Sequence, residues 1–318
     1  MSTSPDSRDL ADDKHCYENC INDECVYADE RFVTAFGRKG RQVGEFEDAK
    51  DVYCQSNGQL LITDMVSGRL QRFSKSGNTV TVIAPNEITH PWSATIADDN
   101  SIVVSLCNER GVKILTEQGD LLRTIGETVL QSPAGVACDS RGRIIVCDAN
   151  ADTVLIFDKS GKFLKYLGDP ERKEQWFSKP RYVCVSYNGD IIISDSGNHC
   201  VKVFNVKDDF VRSFGSFGKG DGQFKTPYGV CTNKYGELFV ADHYNSRISM
   251  FSRDGVFMRN IVTNDHGLLH PQGLRIDPTL NMYITHGHLK ATEVLVFKLS
   301  NNDTLYNTRE YLEIISHV

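Results

Sequence analysis

The sequence predicts an all-β protein: a six-bladed β-propeller of four-stranded antiparallel blades, with the ring closed by an N-terminal strand. Six copies of one repeat, 42 to 47 residues apart, carry this prediction, and they begin at Ala49, Pro91, Pro133, Pro180, Pro227 and Pro271. Short apolar runs separated by glycine turns fill each copy, and the 3.6-residue periodicity of helical repeats is nearly absent. Four short strands per repeat of this length are typical of propeller blades.

The fifth copy shows the strand pattern most clearly. Its apolar runs are predicted strands, and they occupy Pro227–Cys231, Leu238–Asp242, Arg247–Phe251 and Val256–Ile261. Asp254-Gly255 between the last two runs is a strong hairpin signal. The second strand ends in an aspartate in four copies, at Asp64, Asp148, Asp195 and Asp242. Leu106 and His286 take this position in the second and sixth copies, so we expect those two blades to be less regular.

Ring closure needs a strand from outside the sixth copy. That copy has room for three strands between Pro271 and Lys298, and an open ring would expose raw strand edges. Arg31–Gly37 resembles the fourth strand of another copy, Phe210–Gly215, and is therefore predicted to complete the last blade. Tyr306–Ile315 is the competing candidate.

Composition limits the class of protein. The 318 residues are 40% hydrophobic with a net charge of −7, which argues against a disordered chain or a generally basic nucleic-acid binder.

We predict an acidic tail at 1–25, the propeller at 26–300 and a C-terminal tail at 301–318. The acidic start lacks a signal-peptide core, and no apolar run approaches the ~18 residues that span a bilayer. We therefore expect a cytoplasmic protein with mostly reduced cysteines and no membrane partner.

A specific linker motif precedes two blades. It has the form Phe-Gly-x-x-Gly-x-x-x-Gly-x-Phe and occurs at 36–46 and, with Gly215, Gly218 and Gly222, at 214–224. Together with the Pro-x-Gly-Val strand entry and the Asp-x-x-Asn loop, it makes residues 31–298 resemble NHL repeats, most of all the C-terminal propeller of TRIM-NHL proteins. The resemblance implies a non-enzymatic scaffold that recognises RNA or a partner protein, in mRNA repression or ubiquitin-ligase substrate recognition. A RING-bearing ligase partner is also implied, because we find no RING or B-box pattern in these residues.

Candidate binding residues fall on one predicted face. The residues after the blade-opening positions should surround the mouth of the central channel: Lys50, Trp92, Ala134, Arg181, Tyr228 and Gln272. The loops entering blades one, four and five add Arg38, Lys39, Arg41, Arg172, Lys173, Lys179, Lys219 and Lys225, and the loops after the strand-ending aspartates add His243, Tyr244 and Arg247. Aromatic rings among cations suit RNA, single-stranded or in a hairpin. The competing interpretation is that the aromatics pack at strand entries and the cations are merely solvated.

The main alternative is a metal-dependent propeller enzyme of the lyase or lactonase type. Several histidines lie near strand ends, including His90, His270 and His288. A similar propeller, the peptide-amidating lyase, places zinc-binding histidines directly after the blade proline, and this chain has none there. Nucleophile-elbow and phosphate-loop motifs are also lacking. We therefore predict no catalytic residue, no metal and no cofactor.

Both predicted tails carry weaker signals. His15, Cys16, Cys20 and Cys25 could together hold zinc, although their spacing favours an ordinary solvated tail. Ser316 and Val318 at the C-terminus fit a ligand of PDZ domains, which add a peptide strand to a sheet edge.

Overall fold

The computed structural model describes residues 29–78, 80–84, 87–300 and 303. These residues form six four-stranded antiparallel sheets arranged as the blades of a propeller, as the sequence predicts. Each blade starts with an inner strand at the channel and ends with an outer strand at the rim. No helix in this part of the chain is long and apolar enough to cross a membrane.

The strands are numbered in chain order. Blades one to three comprise β2 (Ala49–Cys54), β3 (Leu60–Asp64), β4 (Arg69–Phe73) and β5 (Val80–Ile83); β6 (Pro91–Ile96), β7 (Ile102–Leu106), β8 (Val112–Leu115) and β9 (Leu121–Ile125); and β10 (Pro133–Cys138), β11 (Ile144–Asp148), β12 (Thr153–Phe157) and β13 (Phe163–Tyr166). Blades four to six comprise β14 (Pro180–Val185), β15 (Ile191–Asp195), β16 (Cys200–Phe204) and β17 (Phe210–Phe214); β18 (Pro227–Thr232), β19 (Leu238–Asp242), β20 (Arg247–Phe251) and β21 (Phe257–Val262); and β22 (Leu274–Ile276), β23 (Asn281–His286), β24 (Glu293–Lys298) and β1 (Phe32–Phe36). Short 3₁₀ turns occupy Lys173–Gln175, Ser196–Asn198, His243–Asn245 and Asn264–His266.

The N-terminal strand closes the ring, which confirms the prediction. β1 pairs antiparallel with β24, and the Phe32 and Phe297 rings pack edge to face with centroids 5.8 Å apart. Phe36 reaches on into blade one, where its ring lies 4.9 Å from that of Phe73. One strand therefore joins the last blade to the first. The competing segment Tyr306–Ile315 lies outside the described residues, as do the predicted tails apart from Asp303.

The core lies between adjacent blades, whose sheets pack face to face. Every residue of β3, β7, β11, β15 and β19 is buried, and phenylalanines such as Phe157 and Phe204 fill the spaces between blades. Near the channel the inner strands approach so closely that glycine is required. A Cβ on Gly229 would lie 2.4 Å from the Gln272 carbonyl oxygen, and one on Gly273 would lie 2.6 Å from the Asp51 Cα. These contacts explain the glycine of the Pro-x-Gly-Val motif.

The strand-ending aspartates fasten each blade to the linker that enters it. Asp195 accepts a hydrogen bond from the Ser178 backbone N–H (2.7 Å) and Asp242 accepts one from the Lys225 N–H (2.8 Å). His286 does the same in blade six, where its Nδ1 accepts from the Leu269 N–H at 3.3 Å. Blade six has a short inner strand of three residues, in line with the expected irregularity, whereas blade two has strands of ordinary length.

Deleting β1 is expected to destabilise the whole propeller. A chain starting at residue 38 loses the packing of Phe32 and Phe36 and leaves β24 as a bare edge. Each aromatic side chain contributes about 1.5–3 kcal/mol by burial, so the free energy of unfolding should fall by several kcal/mol in urea titrations. A chain starting at residue 29 is the control. Equal urea midpoints for the two chains would show that β1 does not hold the ring.

Candidate nucleic-acid interface

Side chains from four blades meet at the mouth of the channel, where the sequence predicts them. The Arg181 guanidinium lies 5.4 Å from the Trp92 ring and 5.0 Å from the Tyr228 ring, within the range of cation–π attraction. The Lys50 Nζ lies 5.1 Å from the centroid of the Trp92 ring. The Tyr182 ring, which was not among the predicted site residues, packs against both aromatics, with centroids 6.3 Å from Trp92 and 6.0 Å from Tyr228. The three rings therefore form one aromatic cluster.

Most of this mouth cluster is buried against itself. Trp92 and Tyr228 are less than one tenth exposed, and burial lowers the pKa of Lys50, whose ammonium pairs with Asp48 at 2.9 Å. Gln272 is also buried, and its amide donates to Asp48 at 3.3 Å. Because the inner strands converge so closely, these residues contact each other more than solvent. Arg181 is the half-exposed member.

Arg247 and Arg69 hold the glycine-rich linkers through hydrogen bonds to their backbone carbonyls. Arg247 is buried, pairs with Asp242 at 2.9 Å and donates to the carbonyls of Lys219, Gly220 and Gln223 at 2.6–3.0 Å. Arg69 donates in the same way to three carbonyls of the linker into blade one, at 2.7–2.9 Å. The sequence grouped Arg247 with the contact residues, but the structure directs its guanidinium to the scaffold. The reason is that the curled linkers turn their carbonyl oxygens inward, and the five N–H donors of an arginine can satisfy several of them at once.

The cations of blade one carry their own counter-charges. The Arg38 Nε lies 2.9 Å from Glu45 and the Arg41 Nε lies 2.9 Å from Glu47, although both arginines are exposed. Lys39 stands exposed beside them. The glutamates reduce the positive potential of this part of the face, which the sequence could not show.

Blades four and five present cations without such partners. Among the described residues, no carboxylate lies within ion-pair distance of Lys173, Lys179, Lys219 or Lys225. Three aromatic side chains stand exposed among them: Trp176 (52%), Phe217 (64%) and Tyr244 (51%). The Lys225 Nζ lies 5.8 Å above the Tyr244 ring. We call Trp176, Lys179, Arg181, Phe217, Lys225 and Tyr244 the blade 4–5 sector.

Short contacts make this sector continuous. The Asn198 amide donates to the Trp176 carbonyl at 3.1 Å, and the neighbouring His199 ring lies 4.9 Å from that of Phe217. His199 Nδ1 in turn accepts a hydrogen bond from the Thr226 N–H at 3.0 Å, next to Lys225. Trp176 and Phe217 were not predicted as binding residues. The sequence does contain a signal for them, the two repeat steps of 47 residues, because the longer linkers into blades four and five carry these rings.

His243 acts here as a neutral aromatic ring. It stacks on Tyr228 with centroids 4.2 Å apart and planes inclined by 10°, and its Nδ1 lies 3.1 Å from the Pro271 carbonyl oxygen. Burial lowers the pKa of His243 to about 3, so the ring is uncharged near neutral pH. His270 lies 5.3 Å away. In the described part of the chain, no three His, Cys, Asp or Glu side chains are grouped to hold a metal ion.

Comparisons with known proteins agree with this architecture. The NHL repeat model matches residues 177–204. Over 148 residues (42% of this chain and 14% of the relative) the chain is 31% identical to Protein brain tumor of Drosophila melanogaster. Over 139 residues (41% and 16%) it is 29% identical to the B-box type zinc finger protein ncl-1 of Caenorhabditis elegans. The matched parts therefore span about one sixth of these relatives' length.

Solved structures show the same fold in enzymes. A gluconolactonase from Xanthomonas campestris has a TM-score of 0.65 at 16% identity, covering 80% of this chain and 88% of its own. A virginiamycin B lyase from Staphylococcus aureus has a TM-score of 0.61 at 12% identity, covering 85% and 89%. Identities this low show the fold alone. The matched repeat, the six blades and the two TRIM-NHL relatives make this chain an NHL-repeat propeller that resembles the C-terminal propellers of TRIM-NHL proteins.

Proposed function

We propose that the propeller is a non-enzymatic scaffold whose blade 4–5 sector binds single-stranded RNA. The observation that carries the proposal is the grouping of three exposed aromatic rings with unpaired cations on one face. Unstacked bases bind aromatic faces, and lysines between the rings contact the phosphates. The resemblance to TRIM-NHL propellers, whose RNA-binding members use this face, supports the same proposal.

The geometry gives stacking a larger role than charge. Each base stacked on an aromatic ring contributes about 1–3 kcal/mol, and the sector offers three such rings. The sector contains only two lysines and the chain has a net charge of −7, so contacts to RNA phosphates add less to the binding free energy. Two of the rings stand on linkers and Tyr244 stands on a 3₁₀ turn, and all three segments are fastened to buried strands, so little ordering free energy opposes binding. Arg181 extends the sector toward the channel mouth, between Trp92 and Tyr228.

A partner protein is the second candidate, and one observation favours it. Leu289, in the blade-six loop on the same face, is 86% exposed, and with Phe217 and Trp176 it gives the face an apolar character that suits a protein interface. The partner would be cytoplasmic, and a RING-bearing ubiquitin ligase fits this role. The cysteines near Cys16, for which the sequence favours a solvated tail over a zinc site, and the predicted terminal PDZ ligand at Ser316 and Val318 lie outside the described residues.

Removing one ring or one cation of the sector should weaken RNA binding. We expect Tyr244→Ala to lower the affinity for RNA enriched from a random pool by about 5- to 100-fold, from the loss of one stacked base, at ~150 mM salt. Lys225→Ala should cost less and should flatten the salt dependence.

The controls replace a tyrosine and a lysine outside the sector by alanine. They are Tyr166→Ala on β13 and Lys207→Ala in a turn on the opposite face, and both side chains are exposed. Electrophoretic mobility shifts measure all four variants. Enriched RNA that binds the sector variants and the wild type equally would refute the site. If no RNA is enriched from the pool, and a protein that binds the wild type does not bind Tyr244→Ala, the second candidate is favoured.

The neutral state of His243 predicts a pH effect on stability. Its folded pKa lies below the unfolded value of about 6.5, so the unfolded chain takes up a proton that the folded chain does not. Stability is therefore full above pH 6.5 and should fall toward pH 4. One proton limits the fall to about 1.4 kcal/mol per pH unit, and the partial exposure of the ring makes it smaller.

His243→Phe keeps the stacked ring and removes the titration, so urea titrations should show a flatter dependence on pH and an RNA affinity close to wild type. His243→Ala should lose RNA affinity. An unchanged pH slope in His243→Phe would contradict the assignment of a neutral ring.

A further inference from the structure

A pocket of about 150 Å³ opens between blades four and five on the face opposite the blade 4–5 sector. Three cations line it: Arg212 on β17, and Lys234 and Arg253 in turns of blade five. Asp190 is the one carboxylate among the lining residues, so the pocket carries a formal charge of +2. Tyr187, which is 90% exposed, and Tyr235 border it. Cations thus outnumber acids in the lining of this one pocket.

The preceding blade junction has a different charge arrangement at the same place. Between blades three and four, Lys165 holds the strand position that corresponds to Arg212, and its Nζ lies 2.8 Å from Asp208. Arg143 there contacts Asp208 at 2.7 Å and Asp139 at 2.7 Å. Counted from the flanking strands, the residues equivalent to Asp139 and Asp208 are Ser186 and Gly255. Both of these aspartates are therefore absent at the blade 4–5 junction, where Asp190 replaces Arg143 and is the one acid left in the lining.

The cations of this pocket have few internal partners. One Arg212 Nη donates to the Arg253 carbonyl, a contact that Arg123 repeats with Lys159 two junctions earlier, and the Arg212 Nε is buried without a hydrogen-bond partner. Among the described residues, no carboxylate lies within ion-pair distance of Arg212, Lys234 or Arg253. A guanidinium that lacks acceptors is costly to bury, and a bound anion would contact the accessible Nη groups and offset the charge.

We propose that this pocket binds a phosphoryl group carried on a protein side chain. A phosphomonoester has a charge of about −1.5 to −2 at pH 7, which matches the +2 of the pocket, and its oxygens suit two arginines. The volume suits a single phosphoryl group, and all three cations line the same pocket. Ser186, Asn188 and Thr232 add polar groups to the lining, and the exposed Tyr187 offers a ring to the peptide that bears the phosphate.

The test uses the full chain and four probes followed by phosphorus NMR or calorimetry: inorganic phosphate, an acetylated Gly-phosphoserine-Gly peptide, its unphosphorylated form and a 5′-phosphorylated trinucleotide. Arg253→Met and Ser186→Asp should each weaken phosphate and phosphopeptide binding by about tenfold or more, since one removes a charge-assisted hydrogen bond and the other restores a neutralising aspartate. Ser186→Asp copies the blade-three turn residue and is expected to fold normally. Lys159→Met, at the turn position equivalent to Arg253, is the matched control.

Saturable binding of phosphate and phosphopeptide that is lost in both variants and kept in Lys159→Met is the expected result. Absence of saturable phosphate binding, or equal binding by Arg253→Met, Ser186→Asp and wild type, would overturn the proposal. Preference for the trinucleotide over the phosphopeptide at this pocket would overturn the assignment to a protein side chain. RNA binding by the blade 4–5 sector should be unchanged in all three variants, which separates this site from the proposed function.

Discussion

The pairing of β1 with β24 is the constraint on which the structure depends. Blade sheets pack only against their two neighbours, and contacts across the channel are confined to the cluster at its mouth, so the ring holds its geometry only while the last blade is tied to the first. Closure fixes the distance between the inner strands, and that distance is short enough to exclude a Cβ at Gly229 and Gly273. The same distance brings Arg181, Trp92 and Tyr228 into contact from three different blades. An open ring would separate them.

Many carboxylates of the propeller bind backbone groups or cations of the scaffold. The positions of these pairs determine where positive charge is left without a counter-charge. Asp195 and Asp242 are buried at the ends of their strands, and desolvation raises their pKa while their cation and amide partners lower it. Asp48 pairs with Lys50, and Asp208 is surrounded by blade-three cations. A chain with a net charge of −7 can therefore present local positive regions, because many of its acids face inward. The blade 4–5 sector and the pocket on the opposite face are two such regions.

The sequence predicted the blades, the turn positions and the closing strand because each is encoded locally, by a repeated proline, glycine or aspartate at fixed spacing. It also predicted which residues meet at the channel mouth, since the repeat places equivalent residues on one ring. It left open whether Trp92 and Tyr228 are contact residues or pack at the strand entries, because their burial depends on how closely six inner strands converge. Ion pairs such as Arg38 with Glu45, and the inward turn of Arg247, follow from linker conformation, which local patterns do not specify.

Photo-crosslinking tests the central claim most directly. An enriched RNA carrying 4-thiouridine, bound to the full chain and irradiated, yields crosslinked peptides that mass spectrometry can map to residues. The account predicts crosslinks at Trp176, Phe217 and Tyr244, the exposed rings of the blade 4–5 sector. Crosslinks confined to the blade-one linker around Lys39, or to the turns around Tyr187 on the opposite face, would contradict it.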